Sequence, residues 1–500
     1  MTGILRVDSY NQTIQAIRNA TAQAGLGYIL RIQDKKETMV KVNNKDVEGI
    51  ATSFLKGMGI QVFTPDGYTG FASTDRIEPL IAGNLVELAC KLAKKVQEKQ
   101  GENNKAIYKL SPTRERSILK LKYPYGSLDL NEIEKRLKEV NSELTELDPR
   151  LSVRTVFRVV DEEWRIARQD GTDSSFMTPR SFIYNIFTAK ERGKTITTDS
   201  NLPGSDLSIL IQPDLVRKLK IKSIAAAKLA LNLLTARPIK SGSYKMVVDY
   251  ALAKGLAHEA FGHAAETDGM ESSILGKNGK MRLGEKVAAD IVSIVDGPLE
   301  GDYAYQPISA NGIKRETVHI VKDGILRAGL ADLFSAEAAG VPLTGAGRVE
   351  TCHFLPLARM SNIRIEVKDP VLVEKEFEEI TPEIIYKKLL HSGLIRENEE
   401  VLYLTGYQGG QVNPASGKFV FNCSGIYRLG ETALLYQPAI FSGNVLSALN
   451  SIVAGIGPLK TDAMGTCGKM FQGVPSSGGS HYFLLIDKNP EITIGGEIDE

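Results

Sequence analysis

Apolar positions change their spacing several times along the chain, and each change marks an element. Over residues 9–24, Ile14, Ile17 and Ala20 recur at helical spacing and Gly25 follows as a stop, which predicts a helix. Residues 27–32 and 38–42 read as strands split by the polar turn Gln33-Asp34-Lys35-Lys36. A hairpin pairs 60–63 with 68–72 across Pro65-Asp66-Gly67. Thr74 or Asp75 is expected to cap a long helix running towards Lys99, and the polar stretch 97–105 reads as a sub-boundary. Residues 129–144 place Ile133, Leu137, Val140 and Leu144 on one helical stripe. Strand patterns follow at 153–160 and 163–168, joined through Asp161-Glu162.

Near residue 215 the pattern turns to an Ala- and Leu-rich helix, 216–236, stopped by Pro238. A strand at 246–249 feeds a further helix from Tyr250 to about Ala265. Beyond 290, short β-type runs are broken by glycine clusters such as Gly345 with Gly347 and Gly478 with Gly479, with one helix at 381–391. The fold class expected is α+β. Residues 1–215 form an α/β-type domain with an antiparallel sheet, and 216–500 form a β-rich, barrel-like domain that carries the helix at 250–265.

Composition narrows the function classes. Sixty-one basic against sixty acidic residues give a net charge of +1, so no global attraction to nucleic acid or anionic lipid is expected. No stretch reaches about 18 uninterrupted apolar residues and the N-terminus lacks a signal-peptide pattern, so neither membrane insertion nor secretion is expected. Cys90, Cys352, Cys423 and Cys467 form no CxxC pair, which fits a reducing cytoplasm.

The chemistry concentrates at residues 258–263, His-Glu-Ala-Phe-Gly-His. Imidazoles are common zinc ligands, and a carboxylate beside a metal can take a proton from the attacking water. Six histidines in 500 residues make a chance HExxxH match expected in fewer than roughly 0.01 chains of this length, so accident is a poor explanation. The spacing is one residue longer than the zincin HExxH. On a regular helix, i and i+5 lie about 140° apart, too divergent for one ion. Either a π-bulge brings His258 and His263 together, or the helix ends at Gly262 and His263 swings back. Catalytic zinc needs a third protein ligand. Cys467, between Gly465-Thr466 and Gly468-Lys469, is a candidate thiolate and equally a candidate buried thiol; its residues alone leave both open. Glu266, three residues after His263, can accept the second imidazole N–H if the helix continues. Arg348, His353 and His481 are candidates to stabilise an oxyanion. The Gly409-Gly410 pair allows either pairing of an extended peptide with a sheet edge or a tight turn.

These motifs resemble the TldD/PmbA metalloproteases, specifically the TldD-type member that keeps its metal site. The resemblance runs over nearly the whole chain. It includes Gly59 to Phe63, Gly70 to Thr74, His258 to His263 with Glu266 and Asp268, Leu343 to Arg348, Arg359 to Asn362, Gly409 to Pro414, Cys467-Gly468-Lys469 and Val474-Pro475. Phe471 and Ser480 stand where the family usually has Gly and Pro. The resemblance implies one Zn2+ per chain held by His258, His263 and Cys467, with Glu259 as general base. It further implies hydrolysis of unfolded or short peptides by a homodimer, or by a heterodimer with a PmbA-like sister chain. Two other readings are a non-catalytic peptide-binding scaffold and a thiol hydrolase using Cys467 with His258 or His263.

Overall fold

The computed structural model describes residues 4–100 and 110–495. Two large sheets organise it. In the first, Gly27–Asn43 and Asp46–Phe63 pair antiparallel along their whole length, Gly27 opposite Phe63. The two residues joining them, Asn44 and Lys45, both have positive φ, as a tight hairpin turn requires. Thr69–Thr74 extends this sheet through the turn containing Gly67, in the register expected from sequence, with Val62 opposite Gly70. On the other side of Gly27–Asn43 lies Leu151–Arg168, whose outer edge pairs with Asp173–Met177 and Arg180–Glu191 in turn. Lys194–Gly204 completes that flank.

Two expected turns are strand interiors. Gln33 to Lys36 continues one 17-residue strand, and Asp161-Glu162 lies inside one 18-residue strand. Their polar side chains are satisfied within the fold. Gln33 donates to Glu162, which also accepts from Thr178 and Arg180, and the Cys352 amide donates to Gln33. The helix expected from Thr74 or Asp75 instead starts at Pro79, the first helical position that proline favours, and runs to Gln100. The expected sub-boundary at 97–105 falls partly on that helix; its residues 101–105 lie outside the described residues.

Helices Asn11–Ala24 and Pro79–Gln100 pack Ile14, Ile17, Ala82, Val86 and Ala89 against Tyr28, Leu30, Ile60 and Val62. Helix Leu130–Thr145, capped by Asp129 onto the Glu132 amide, buries Ile133 and Leu137 against Val40, Phe157 and Ile183. Burial of such a side chain contributes about 1.5–3 kcal/mol. Helix Pro213–Leu233, assigned by pattern to the second domain, packs on the first sheet: Thr198 Oγ1 donates to the Ala226 carbonyl and Asn185 Nδ2 to Ser223 Oγ.

The second sheet has 13 strands and is open. Its path runs from Ile325–Leu326 to Ile492–Ile494, and among the described residues those end strands are not paired with each other, so the barrel-like expectation is corrected to an open mixed sheet. Gly478 and Gly479, read as a turn signal, lie within a strand where another backbone comes close. A Cβ on Gly478 would sit 1.8 Å from the Ile363 carbonyl oxygen, and one on Gly479 would sit 2.0 Å from that of Lys460. At the centre, Lys245–Asp249 runs parallel to Val401–Asn413 and antiparallel to Gln472–Ile486. The chain then leaves this three-strand floor as the helix that carries His258.

Gly59 joins the two halves, because a Cβ there would lie 1.9 Å from the Cys352 carbonyl oxygen. Gly59→Ala is expected to cost about 1–3 kcal/mol, the usual penalty for overpacking. Equilibrium urea unfolding checks this; a wild-type midpoint would show that the seam yields without cost.

Candidate metal centre

Asp249 starts the helix by accepting from the Leu252 amide at 2.9 Å, and its other oxygen accepts from the Gly406 amide and the Thr405 hydroxyl. The segment is α-helical only over Tyr250–Gly255. Leu256–Gly262 is a π-helix, in which the His263 amide donates to the His258 carbonyl five residues back. A 3-10 turn, His263–Ala265, follows and the backbone becomes extended at Glu266. The five-residue spacing is thus accommodated by π-type bonding, one of the two geometries the sequence allows.

The two imidazoles stand edge to face with ring centroids 5.3 Å apart. Cys467 reaches them from the hairpin formed by Gly465–Lys469 and the start of Gln472–Ile486, where it pairs with Val474. Its Sγ lies 3.7 Å from His263 Nε2, and one ligand atom from each of His258, His263 and Cys467 falls within 4.8 Å of the others. Glu259 is part-exposed. Its carboxylate oxygens lie 3.9 Å from His258 Nε2 and 3.7 Å from His263 Nε2.

Both ring nitrogens of His258 are buried without a hydrogen-bond partner among the described residues. Leaving buried polar atoms unpaired costs on the order of 1–3 kcal/mol, so this ring is set up for a ligand that the protein itself does not provide. Burial, with Lys254 nearby, holds the His258 pKa well below its ordinary value, leaving the neutral form that binds metal. Burial alone would push the Cys467 thiol up, but the hydrogen bond and charge of His263, with Arg359, bring it below the ordinary value. At His263, burial is outweighed by Glu266 and Cys467, which raise the pKa to about 10. Two imidazoles and a favoured thiolate converging on one point fit a zinc ion, which would displace the His263 proton.

Glu266 supports this arrangement, with Oε2 3.1 Å from His263 Nδ1. Lys469 Nζ donates to the same oxygen at 2.7 Å and to Asp268 at 2.6 Å. Burial acts against the Glu266 carboxylate, but His263 and Lys469 hold its pKa below the ordinary value. Glu266→Gln is expected to weaken zinc binding by about 10–100-fold, the usual effect of losing a ligand's carboxylate partner. Competition with a chromogenic chelator measures this; unchanged affinity would remove Glu266 from the site.

The other singled-out residues are taken up by contacts of their own. Arg348 is buried and donates to Gln306 and to the Met360 and Pro475 carbonyls, so it ties down the Cys467 hairpin. His353 pairs with Asp75 at 2.9 Å, at the seam with the first sheet. His481 has its two ring nitrogens on the Gly457 and Val367 carbonyls. Among the described residues none of the three makes a hydrogen bond or ion pair to His258, His263 or Cys467, although the Arg348 charge acts on His258. Gly409 and Gly410 form a bulge inside Val401–Asn413, where Gly409 has positive φ and a Cβ on Gly410 would strike Phe421; they do not form a tight turn. That strand pairs with Lys245–Asp249 only over Val401 to Leu404, so among the described residues its outer edge beyond the bulge carries no strand. Pattern reading assigned no role to Lys254, Arg359 or Tyr407. The Arg359 guanidinium, fully buried, donates to the Cys467 carbonyl, and Tyr407 lies against Gly255. The one available signal was a lone cation, Lys254, within an otherwise apolar helical run.

Residues 241–476 match the PmbA/TldA metallopeptidase C-terminal domain, and residues 28–94 match PmbA/TldA metallopeptidase domain 1. A metalloprotease of Archaeoglobus fulgidus is 33% identical over 258 residues, 51% of this chain and 54% of its own, so that match spans about half of the relative. A metalloprotease TldD homolog of Haemophilus influenzae is 28% identical over 460 residues, 88% of this chain and 87% of its own. A zinc metalloprotease TldD homolog of Saccharolobus solfataricus is 26% identical over 279 residues, 54% and 56% of the two chains. The crystal structure of TldE from Thermococcus kodakarensis shares the fold, with a TM-score of 0.73 at 15% identity over 97% of this chain and 100% of that one. A mixed α+β architecture and matches to two domains of one family at both ends of the chain have one reading: the protein belongs to the TldD/PmbA metallopeptidase family.

Proposed function

We propose that this chain is a zinc-dependent peptidase acting on unfolded or short peptides, with one zinc held by His258, His263 and Cys467 and Glu259 as general base. The observation that carries this reading is the convergence of three ligand atoms within 4.8 Å of one another, with both His258 ring nitrogens unpartnered among the described residues. A zinc ion bound there supplies Lewis acidity to the scissile carbonyl and the attacking water. Glu259, in front of both ligand nitrogens and open to solvent on one side, takes the proton from that water and delivers it to the leaving amine. Glu266 holds His263 in the tautomer whose Nε2 faces the centre. The unpaired edge beyond the Gly409-Gly410 bulge offers main-chain groups to an extended peptide, which suits substrates without fixed side-chain sequence.

Removal of zinc with a chelator is expected to abolish hydrolysis of unstructured peptides, and one equivalent of zinc to restore it. Activity that survives full metal removal would overturn the reading. Chelator resistance joined to iodoacetamide sensitivity would favour the thiol-hydrolase alternative, for which the 3.7 Å Cys467–His263 contact speaks, although it leaves His258 without a role. A chain that holds no stoichiometric metal would favour the peptide-binding scaffold. We also place the protein in the cytoplasm, supported by four free cysteines. Among the described residues no helix is long and apolar enough to cross a membrane. Work as a homodimer, or beside a PmbA-like sister chain, is supported by Met470 and Phe471, which stand exposed at the tip of the Cys467 hairpin.

A further inference from the structure

Four cations lie around the candidate centre, and two are committed. Arg348 donates to one side-chain and two main-chain oxygens and Lys469 is held between Glu266 and Asp268, while Arg359 gives one N–H to the Cys467 carbonyl and keeps Nε and Nη1 buried without a partner among the described residues. Lys254 is under-satisfied as well, and its placement sets it apart. It is 5% exposed, pairs with no carboxylate among the described residues, and makes one long hydrogen bond, 3.4 Å to Ser476 Oγ. An ammonium has three N–H donors, so two remain unspent on a buried group, where unmet donors are costly.

Two independent placements aim that ammonium at the centre. Along the helix, Lys254 precedes His258 by four residues, the separation that puts side chains on one face. Along the hairpin, a Cβ on Gly465 would point at Lys254 Nζ from 3.0 Å, and residue 467 projects from the same face two positions on, about 6.5 Å away. Burial holds the Lys254 pKa below its ordinary value, and the charges of Glu259 and Cys467 act against that in favour of the ammonium.

We propose that Lys254 is a catalytic residue that donates a hydrogen bond to the oxygen of the scissile carbonyl as it becomes negatively charged. This rests on the peptidase reading above. As water adds to the carbonyl carbon, the C=O π pair moves onto oxygen and the water proton moves to Glu259. Lys254 keeps its proton and only hydrogen-bonds the oxyanion. Collapse re-forms C=O and breaks C–N, and Glu259 returns the proton to the leaving nitrogen. A donor aimed at developing charge in a dry site is typically worth about 10²–10³ in turnover. The competing donor is the phenol of Tyr407, which packs against Gly255 on the same helix.

The test compares Lys254→Met, Lys254→Gln and Lys254→Arg with Tyr407→Phe, each with zinc content and melting temperature measured. Two probes are bound to the zinc-loaded chains by calorimetry: a phosphinic peptide, which presents a tetrahedral oxyanion, and its methyleneamine analogue, which presents none. Lys254→Met and Lys254→Gln are expected to lower kcat by about 10²–10³ with KM near wild type and full zinc, and to weaken phosphinic peptide binding by a similar factor. The methyleneamine peptide should bind as before, and Lys254→Arg should recover part of the loss. Equal weakening of both probes, loss of zinc, or wild-type phosphinic peptide affinity in Lys254→Met would overturn the inference. So would a selective loss confined to Tyr407→Phe. If Lys254→Met stays fully active while chelation abolishes hydrolysis, Lys254 alone is wrong; if the wild-type chain neither holds zinc nor hydrolyses peptides, the peptidase reading falls and this inference with it.

Discussion

Glu259→Gln is expected to lower peptide hydrolysis by about 10²–10⁴-fold, the usual effect of removing a general base, while zinc content stays at the wild-type level. The carboxamide is nearly the same size and remains on the open side, so His258, His263 and Cys467 keep their positions. What changes is basicity. A carboxylate 3.7–3.9 Å from the two imidazole nitrogens can take and return a proton, and an amide cannot. Turnover and zinc content measured on the same preparation separate this from metal loss. Near-normal turnover would assign the proton transfer to another group.

Cys467→Ala is expected to have an effect as large, but through the metal. Structural zinc sites of four ligands bind with about 10–16 kcal/mol, so one ligand carries roughly 2.5–4 kcal/mol, or about two to three orders of magnitude in affinity. The substitution removes a nearly fully buried sulfur that lies 3.7 Å from His263 Nε2 and leaves the hairpin backbone, anchored by Arg359 at the Cys467 carbonyl, in place. The variant should therefore fold, lose zinc on dialysis and lose hydrolysis. One zinc per chain at submicromolar affinity would show that Cys467 is not a ligand.

Local pattern carried the regular elements and one unusual one. The helical stripe of Ile133 and Leu137, the Gly67 hairpin and the strand entering the site at Asp249 all depend on residues close in sequence. So does the π-helix, because histidines at i and i+5 cannot share a target on an α-helix. Glu266 was legible from its distance to His263, although it arrives through a 3-10 turn and not a continuing helix. Apart from Cys467, which its flanking glycines and the family resemblance made a candidate, long-range partners were not legible. Gln33 and Glu162 read as turn residues because what satisfies them, Arg180, Thr178 and Cys352, lies far along the chain. The same holds for His353 with Asp75 and His481 with Gly457, which residue type alone made candidates. Glycines read as turns because close approach of a second backbone, as at Gly478 against Ile363, leaves no local signature. Lys254 shows in the sequence only as a cation on its helix, because its placement depends on where the hairpin at Gly465 meets that helix.

X-ray absorption at the zinc edge of the purified, zinc-loaded chain tests the central claim most directly. The account predicts one sulfur at about 2.3 Å and two imidazole nitrogens at about 2.0–2.1 Å, with the sulfur shell absent in Cys467→Ala and one imidazole lost in His258→Ala. A zinc environment without sulfur, or one unchanged by either substitution, would contradict it.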